Sequence, residues 1–390
     1  MPKLAEKLLL MAGATILSLA VLELVLRAFF PSHGTWRIYR IPHPELGWVL
    51  EPGVEFARPM PGGYVDVRYN SDGFRDSEHS GAEPENAMRI IVLGDSYMEA
   101  NMVPLQNVFH KQLERLTKHH RSQVITRNLG VAGYGTLQEY MTFMKAGKRL
   151  KPDLVLLAFY LHNDILNNAE HLNTDAMAMR EGKRKRPYLK ESSDSEWTIL
   201  KPDYEFIQAK YLKQKNSWTF QVRYNSVLLS LIRIARRTLR AQSESFRDNS
   251  SLALNFCQQK TKFERGWQTT ERIIKRLNMD VQSAGAKLVV FSVPAIHDSD
   301  LNLIAELEQA VKKKTPQYCV EQSPGYRRLR EMLARNKIDY IDLAPAFREA
   351  VTSEGKNLFL KGDWHWNKNG HALAAKIVYD RLLSEGLLPQ

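Results

Sequence analysis

Five short apolar runs, Arg89 to Leu93, Val124 to Leu129, Leu154 to Tyr160, Lys287 to Val293 and Ile338 to Leu343, are separated for the most part by stretches of helical periodicity. Strands that are apolar on both faces must be covered on both faces, and a helix returning between two of them makes them parallel. The chain is therefore expected to form an α/β domain around a five-stranded parallel sheet. Helices are predicted at Val108 to His119, Leu137 to Leu150, Trp267 to Ser283, Gly325 to Asn336 and Asn369 to Glu385. At 390 residues and 44% hydrophobic content, the chain has the length for one such domain with additions and the material for its core.

The additions lie at the front and in the middle. Leu8 to Leu26 is an apolar run of about 19 residues preceded by Lys3 and Lys7, long enough to cross a hydrocarbon core as a helix. No Ala-x-Ala site follows it, so an uncleaved anchor over residues 1–30 is expected. Glu23 and Arg27 stand four apart and can pair on that helix. Arg27, Arg37 and Arg40 on the far side leave the orientation open by charge count alone. Residues 31–86 are rich in Pro and Gly and carry short runs such as Gly47-Trp48-Val49-Leu50 and Tyr64 to Tyr69, which read as a small β-rich lead-in. The main domain is expected over 87–390, interrupted by a polar insertion at about 166–260. That insertion contains the basic run Lys183 to Arg186 and an amphipathic stretch, Ser226 to Arg240, expected to pack on the domain or to lie on a membrane surface.

The net charge of +12 comes without zinc-finger spacing, an aromatic RNA-binding signature or a uniformly basic domain, so nucleic acid is not the expected partner. An anionic surface such as lipid headgroups or an acidic glycan fits the excess better. The two cysteines, Cys257 and Cys319, have no metal-ligand spacing and are either buried thiols or a single disulfide. His365 and His371 are six apart and His119-His120 has no partner pattern, so no metal is expected.

Chemistry concentrates at the ends of the predicted strands. Gly94-Asp95-Ser96 follows the first run directly, and a serine at the carboxyl end of a buried strand is where an open α/β sheet exposes a nucleophile. The Ser96 amide would then be one oxyanion donor, with Gly94 allowing close backbone approach. The sequence is not the Gly-x-Ser-x-Gly elbow of the α/β-hydrolases. Asn128 to Gly135, with three glycines, follows the second run and offers a second amide donor or simply a flexible turn. His162-Asn163-Asp164 ends the third, where Asn163 is a third donor or a helix cap. Near the C-terminus, Asp363 and His365 flank Trp364, so in an extended loop their side chains project to one side and the carboxylate can orient the imidazole. Trp364 and Trp366 read as packing or sugar-stacking surfaces.

These four segments, in order, resemble the blocks of the GDSL-type, or SGNH, hydrolase family: Gly94-Asp95-Ser96, Asn128 to Gly133, Asn163-Asp164 and Asp363-Trp364-His365. The resemblance implies a flavodoxin-like three-layer α/β/α fold and no cofactor. It implies Ser96 as nucleophile, the Ser96 amide with Gly133 and Asn163 as oxyanion hole, and His365 as base oriented by Asp363. Tyr69 to Arg75 looks like the extension of membrane-anchored bacterial members, which implies a domain outside the cytoplasm, periplasmic or at the cell surface. Two departures stand out. His162 replaces the common Gly before Asn-Asp and could narrow the pocket or contact substrate. The acid stands two residues before the histidine, as in the Asp-x-His-Trp motif of polysaccharide O-acetylation proteins.

The expected activity is hydrolysis of an acyl ester, such as O-acetyl or another short acyl group on a carbohydrate or lipid, through an acyl-enzyme. Transfer of the acyl group to an envelope or secreted polysaccharide is the alternative, and a membrane-bound acyltransferase is the partner it would call for. A non-catalytic glycan-binding or assembly protein is the reading from another class.

Overall fold

The computed structural model describes residues 2–30, 38–61, 63–79, 84, 86–118, 123–172, 181–190, 197–243, 260–299, 324–361, 363 and 365–389. Cys257, Cys319 and Trp364 lie outside them.

All five predicted strands form, and they form one parallel sheet. The strands are β5 (Met88–Leu93), β6 (Val124–Asn128), β7 (Leu154–Phe159), β10 (Lys287–Ser292) and β11 (Asp339–Ile341), in the order β11-β10-β7-β5-β6. This is the doubly wound order in which the first strand lies between the second and third, and ligands bind where the winding reverses. Alternation of side chains divides the core into two layers. Ile91, Leu93, Val155, Leu157 and Val290 face one side and pack with Leu137, Ile165, Trp267, Leu277 and Leu329. These come from α4 (Thr136–Thr142), α5 (Leu161–Asn168), α9 (Lys260–Ser283) and α11 (Pro324–Arg335). Ile90, Val92, Leu156 and Phe291 face the other side with Phe109, Leu113, Phe347 and Val378. Those belong to α3 (Phe109–Leu116), α12 (Ala344–Thr352) and α13 (Lys368–Ser384).

Two predicted helices are shorter than expected, α3 stopping at Leu116 and α4 well before its predicted end. α4 ends at Thr142 and continues as a π-turn over Phe143–Gly147 and a 3-10 turn over Lys148–Leu150. A Cβ on Gly147 would lie 2.8 Å from the Phe143 ring and 3.3 Å from Ile91, so close packing on the sheet occupies the space a larger residue would need there.

The lead-in forms two antiparallel hairpins, β1 (Arg40–His43) with β2 (Gly47–Leu50), and β3 (Glu55–Met60) with β4 (Gly63–Arg68). It has its own core, in which Tyr39 stacks on Phe56 and Tyr69 at 4.9 and 5.6 Å. That core closes over Met102, Val131 and Tyr134, from the loops at the carboxyl ends of β5 and β6. Thus the lead-in is packed onto the edge where a ligand would bind.

In the middle region, a short hairpin of β8 (Tyr188–Leu189) and β9 (Ile199–Leu200) precedes three helices, α6 (Tyr204–Lys215), α7 (Trp218–Asn225) and α8 (Val227–Ser243). Only α8 was legible from periodicity. α6 and α7 carry no continuous apolar stripe, so their helicity had no sequence signature of that kind. α8 packs against β3 and the N-terminal helix α1 (Pro2–Phe29). α1 is long and apolar enough to cross a membrane, and its apolar window is wholly uncovered by the rest of the protein.

Candidate active site

Ser96 begins α2 (Ser96–Glu99), directly beyond β5. Asp95 caps that helix by accepting from the Tyr97 N–H at 2.9 Å. The close approach that Gly94 permits is internal: a Cβ there would meet Met98 at 2.5 Å and Ala158 at 3.0 Å, so glycine lets α2 fold back over the sheet end. The helix ends at Ala100, a non-glycine residue at φ 44° in the left-handed region. Arg75 stabilises that ending. It is 1% exposed and donates to the carbonyls of Glu99, Ala100 and Val103, the first at 3.3 Å and the last at 2.6 Å.

At the opposite end of the chain, an isolated antiparallel bridge between Phe359 and Trp366 closes the loop that carries Asp363 and His365. Leu360 N–H donates to the His365 carbonyl at 2.8 Å. Trp366 is fully buried, donating to the Pro294 carbonyl at 2.9 Å and packing on Tyr97 and Phe347. It is a packing residue, and it fixes the loop beside α2.

The loop so held brings three distant residues into line. His365 Nε2 lies 2.7 Å from Ser96 Oγ, and His365 Nδ1 lies 2.5 Å from Asp363 Oδ1. Asp363 Oδ1 also accepts from the His365 backbone N–H at 3.1 Å. Burial by itself would raise the Asp363 carboxyl, but the His365 ring and backbone donors and the nearby Arg58 outweigh it and hold the group below its ordinary value. An ionised Asp363 places the proton on Nδ1 and leaves Nε2 as the acceptor for the serine hydroxyl. The His365 ring rests on Tyr97 with centroids 4.8 Å apart. Its side chain is 24% exposed and that of Asp363 34%, so the pair is reachable from solvent.

The residues expected as oxyanion donors stand at the same sheet edge, because β6 and β7 are the two neighbours of β5. Asn163 Nδ2 donates to Asp95 Oδ2 at 2.5 Å. An amide nitrogen has two N–H groups, and Asp95 takes one of them. Burial raises the Asp95 carboxyl, partly offset by the Tyr97 N–H, His365 and Asn163. Gly133 has φ 82°, a value that favours glycine. The peptide joining it to Ala132 is held through its oxygen, which accepts from Trp48 Nε1 at 3.3 Å. In a trans peptide the N–H points opposite the carbonyl, so the Gly133 N–H is directed away from Trp48.

Four residues outside the expected set hold this frame. Glu99, one turn beyond Ser96, accepts from the Ala132 N–H at 2.7 Å and from the Tyr69 hydroxyl at 2.7 Å, tying the helix of Ser96 to the Gly133 loop. Arg186 donates to the Gly133 carbonyl at 2.9 Å. Asp76 accepts from the Asn128 N–H at 3.0 Å, and Asn128 Nδ2 donates to the carbonyls of Arg75 and Met98 at 3.1 and 2.8 Å. The Asp-Gly-Phe-Arg-Asp segment was the available signal for Arg75 and Asp76; Glu99 and Arg186 had none beyond charge.

His162 is turned into the protein. It is buried, and its Nε2 lies 3.0 Å from Asp298 Oδ2, an oxygen that also accepts from the Tyr326 hydroxyl at 2.8 Å and the Ala295 N–H at 2.8 Å. Its role is to tie the start of α5 to α10 (Ile296–Ser299), the short helix after β10.

Residues 254–389 match the family model described as SGNH hydrolase-like domain, acetyltransferase AlgX. The match includes Asp363 and His365, while Ser96, Gly133 and Asn163 precede it, and Ser96 joins it through its contact with His365. No curated protein matches the chain. Among solved structures, an acetyl xylan esterase, AlAXEase, is 11% identical, covering 76% of this chain and 100% of its own at a TM-score of 0.38. The psychrotrophic esterase EstA from Pseudoalteromonas sp. is 11% identical, with coverages of 78% and 100% and a TM-score of 0.37. A lipase/acylhydrolase from Enterococcus faecalis is 12% identical, with coverages of 76% and 96% and a TM-score of 0.37. With TM-scores this low, none of the three bears on the chemistry.

Proposed function

We propose that this chain is a serine enzyme of the SGNH type acting on acyl esters, anchored by α1 with its body outside the cytoplasm. The observation that carries this reading is the unbroken line from Asp363 through His365 to Ser96, at 2.5 and 2.7 Å. Ser96 Oγ attacks the ester carbonyl while His365 Nε2 takes its proton, and Asp363 stabilises the imidazolium. The Ser96 and Gly133 N–H groups and the Asn163 amide receive the oxyanion. His365 then returns the proton to the departing alcohol, leaving the acyl group on Ser96. Asn163→Ala is expected to lower kcat by about 10²–10³-fold, the loss typical of one oxyanion donor. An unchanged kcat would remove Asn163 from the site.

Water or a second alcohol can complete the cycle. Two observations favour a sugar hydroxyl as acceptor. One is the matched model's description as an acetyltransferase. The other is a cavity of about 550 Å³ that adjoins the Gly133 loop through Trp48 and Arg186 and is lined also by Tyr211 and Tyr224 with Arg40 and Lys210. Aromatic faces suit sugar rings, and the cations suit acidic substituents. A membrane-bound acyltransferase is the partner that would deliver the acyl group for such a role. Incubation with p-nitrophenyl acetate and an oligosaccharide acceptor is expected to yield acetylated sugar, detected by mass; free acetate as the sole product would leave hydrolysis as the reaction.

A further inference from the structure

α1 meets the rest of the protein near its C-terminal end. Among its described side chains only Glu23 and Leu26 are partly covered; the others are exposed. The Glu23 carboxyl accepts from the Val227 and Leu228 N–H groups at 2.9 and 3.1 Å and from the Ser226 hydroxyl at 2.8 Å. It therefore caps the first turn of α8 from a different helix. Arg27 pairs with Glu23 at 2.9 Å and donates to the Asn225 carbonyl, the last residue of α7, at 2.5 Å.

These bonds set the height of the body above a bilayer. Glu23 stands three residues before Leu26, the end of the apolar run. At a rise of about 1.5 Å per residue that is roughly 4.5 Å, so Glu23 stands close to the boundary where the apolar run meets the headgroups. With α1 across the membrane, the start of α8 and the end of α7 lie at headgroup level.

α7, whose last residue lies at that level, shows two different faces. Phe220 and Tyr224 turn inward, their rings 4.4 Å apart, and line the cavity. Trp218 and Val222, four apart, turn outward at 75% and 53% exposed, and Leu212 of α6 is 45% exposed. Lys213, Lys215 and Arg223 are exposed around them. An indole and aliphatic groups among cations are the composition of an interfacial contact.

We propose that the outward face of α7, with Leu212, is a second membrane contact, seated in the outer leaflet and matched by its cations to anionic headgroups. The inference rests on α1 spanning the membrane. It implies a body lying on the bilayer rather than swinging from a tether, with the wall of the cavity that α7 supplies at the lipid surface.

The test uses the full chain in lipid nanodiscs, comparing tryptophan emission with ordinary lipids and with lipids brominated high in the acyl chain. The chain is expected to show a quenchable component that Trp218→Phe lacks, larger in discs containing phosphatidylglycerol than in phosphatidylcholine alone. Equal quenching of the two chains, or a Trp218 component quenched by aqueous acrylamide instead, would overturn the contact. Protection from both quenchers in discs holding two chains would assign the face to a second copy and overturn it too. Intact mass and alkaline extraction separate the premise from the proposal. Loss of α1 from the mature chain overturns both readings, whereas a retained α1 with Trp218 unquenched overturns only this one.

Discussion

Ser96→Ala is expected to lower turnover of a p-nitrophenyl ester by roughly a million-fold and to abolish labelling by a fluorophosphonate, with the melting temperature unchanged. The size follows from the line of contacts. Ser96 supplies the only bond to the acyl group in the proposed cycle, and His365 Nε2, 2.7 Å from its oxygen, is placed to take the proton as that bond forms. The fold is expected to tolerate the change because His365 is partly exposed, so water can replace the lost hydroxyl rather than leaving a buried orphan. His365→Ala is expected to cost a similar factor, and the double variant little more, since nucleophile and base act as a unit. Asp363→Asn should fall by roughly 10⁴-fold, because an amide at that position favours the wrong imidazole tautomer. Full activity in Ser96→Ala would overturn the assignment of the nucleophile and with it the proposed function.

Asp76→Ala is expected to destabilise the protein by about 3–5 kcal/mol, the range for breaking a buried charge pair by removing one partner. Asp76 is 4% exposed, lies 2.7 Å from Lys111 Nζ and 3.1 Å from His110 Nε2, and accepts from the Asn128 N–H at 3.0 Å. Burial would raise its carboxyl, yet His110 and Lys111 overcome that and hold it well below the usual carboxylate range. A native pKa below the unfolded one means that the native state keeps the proton off while the unfolded chain begins to take it up. The stabilisation is therefore complete above the unfolded value of about 3.9 and is lost as pH falls from there through the native value. Urea melts of wild type and Asp76→Asn are expected to diverge at neutral pH and converge under acid. Parallel stabilities across that range would show that Asp76 is not a stabilising charge. The same variant is expected to lower kcat, because the Asn128 backbone that Asp76 holds leads directly into the Gly133 loop.

Several features were legible in the chain because they repeat locally or sit at a strand end. Five apolar runs sufficed for the parallel sheet, since a strand buried on both faces has few alternatives to a doubly covered layer. Ser96 was visible as the residue where such a strand stops. Asp363 and His365 were visible because one residue between them sets both side chains on the same side. The Glu23–Arg27 pair followed from helical spacing and is present.

Other features depended on partners far away in the chain. Nothing in the sequence pairs Glu99 with the Ala132 N–H, Asp76 with Asn128, or Glu23 with the first turn of α8. His162 read as narrowing the pocket or contacting substrate, and the structure places its ring against Asp298, because the direction of a side chain is set by packing after the strand ends. The sequence by itself determined the sheet and the apolar first helix through short-range periodicity, and its motifs marked Ser96, His365 and Asp363 as the candidates for nucleophile, base and acid. Only the tertiary structure decided which backbone amides are held rigid and how the body sits against α1, because a buried hydrogen bond leaves no periodic trace at either of its ends.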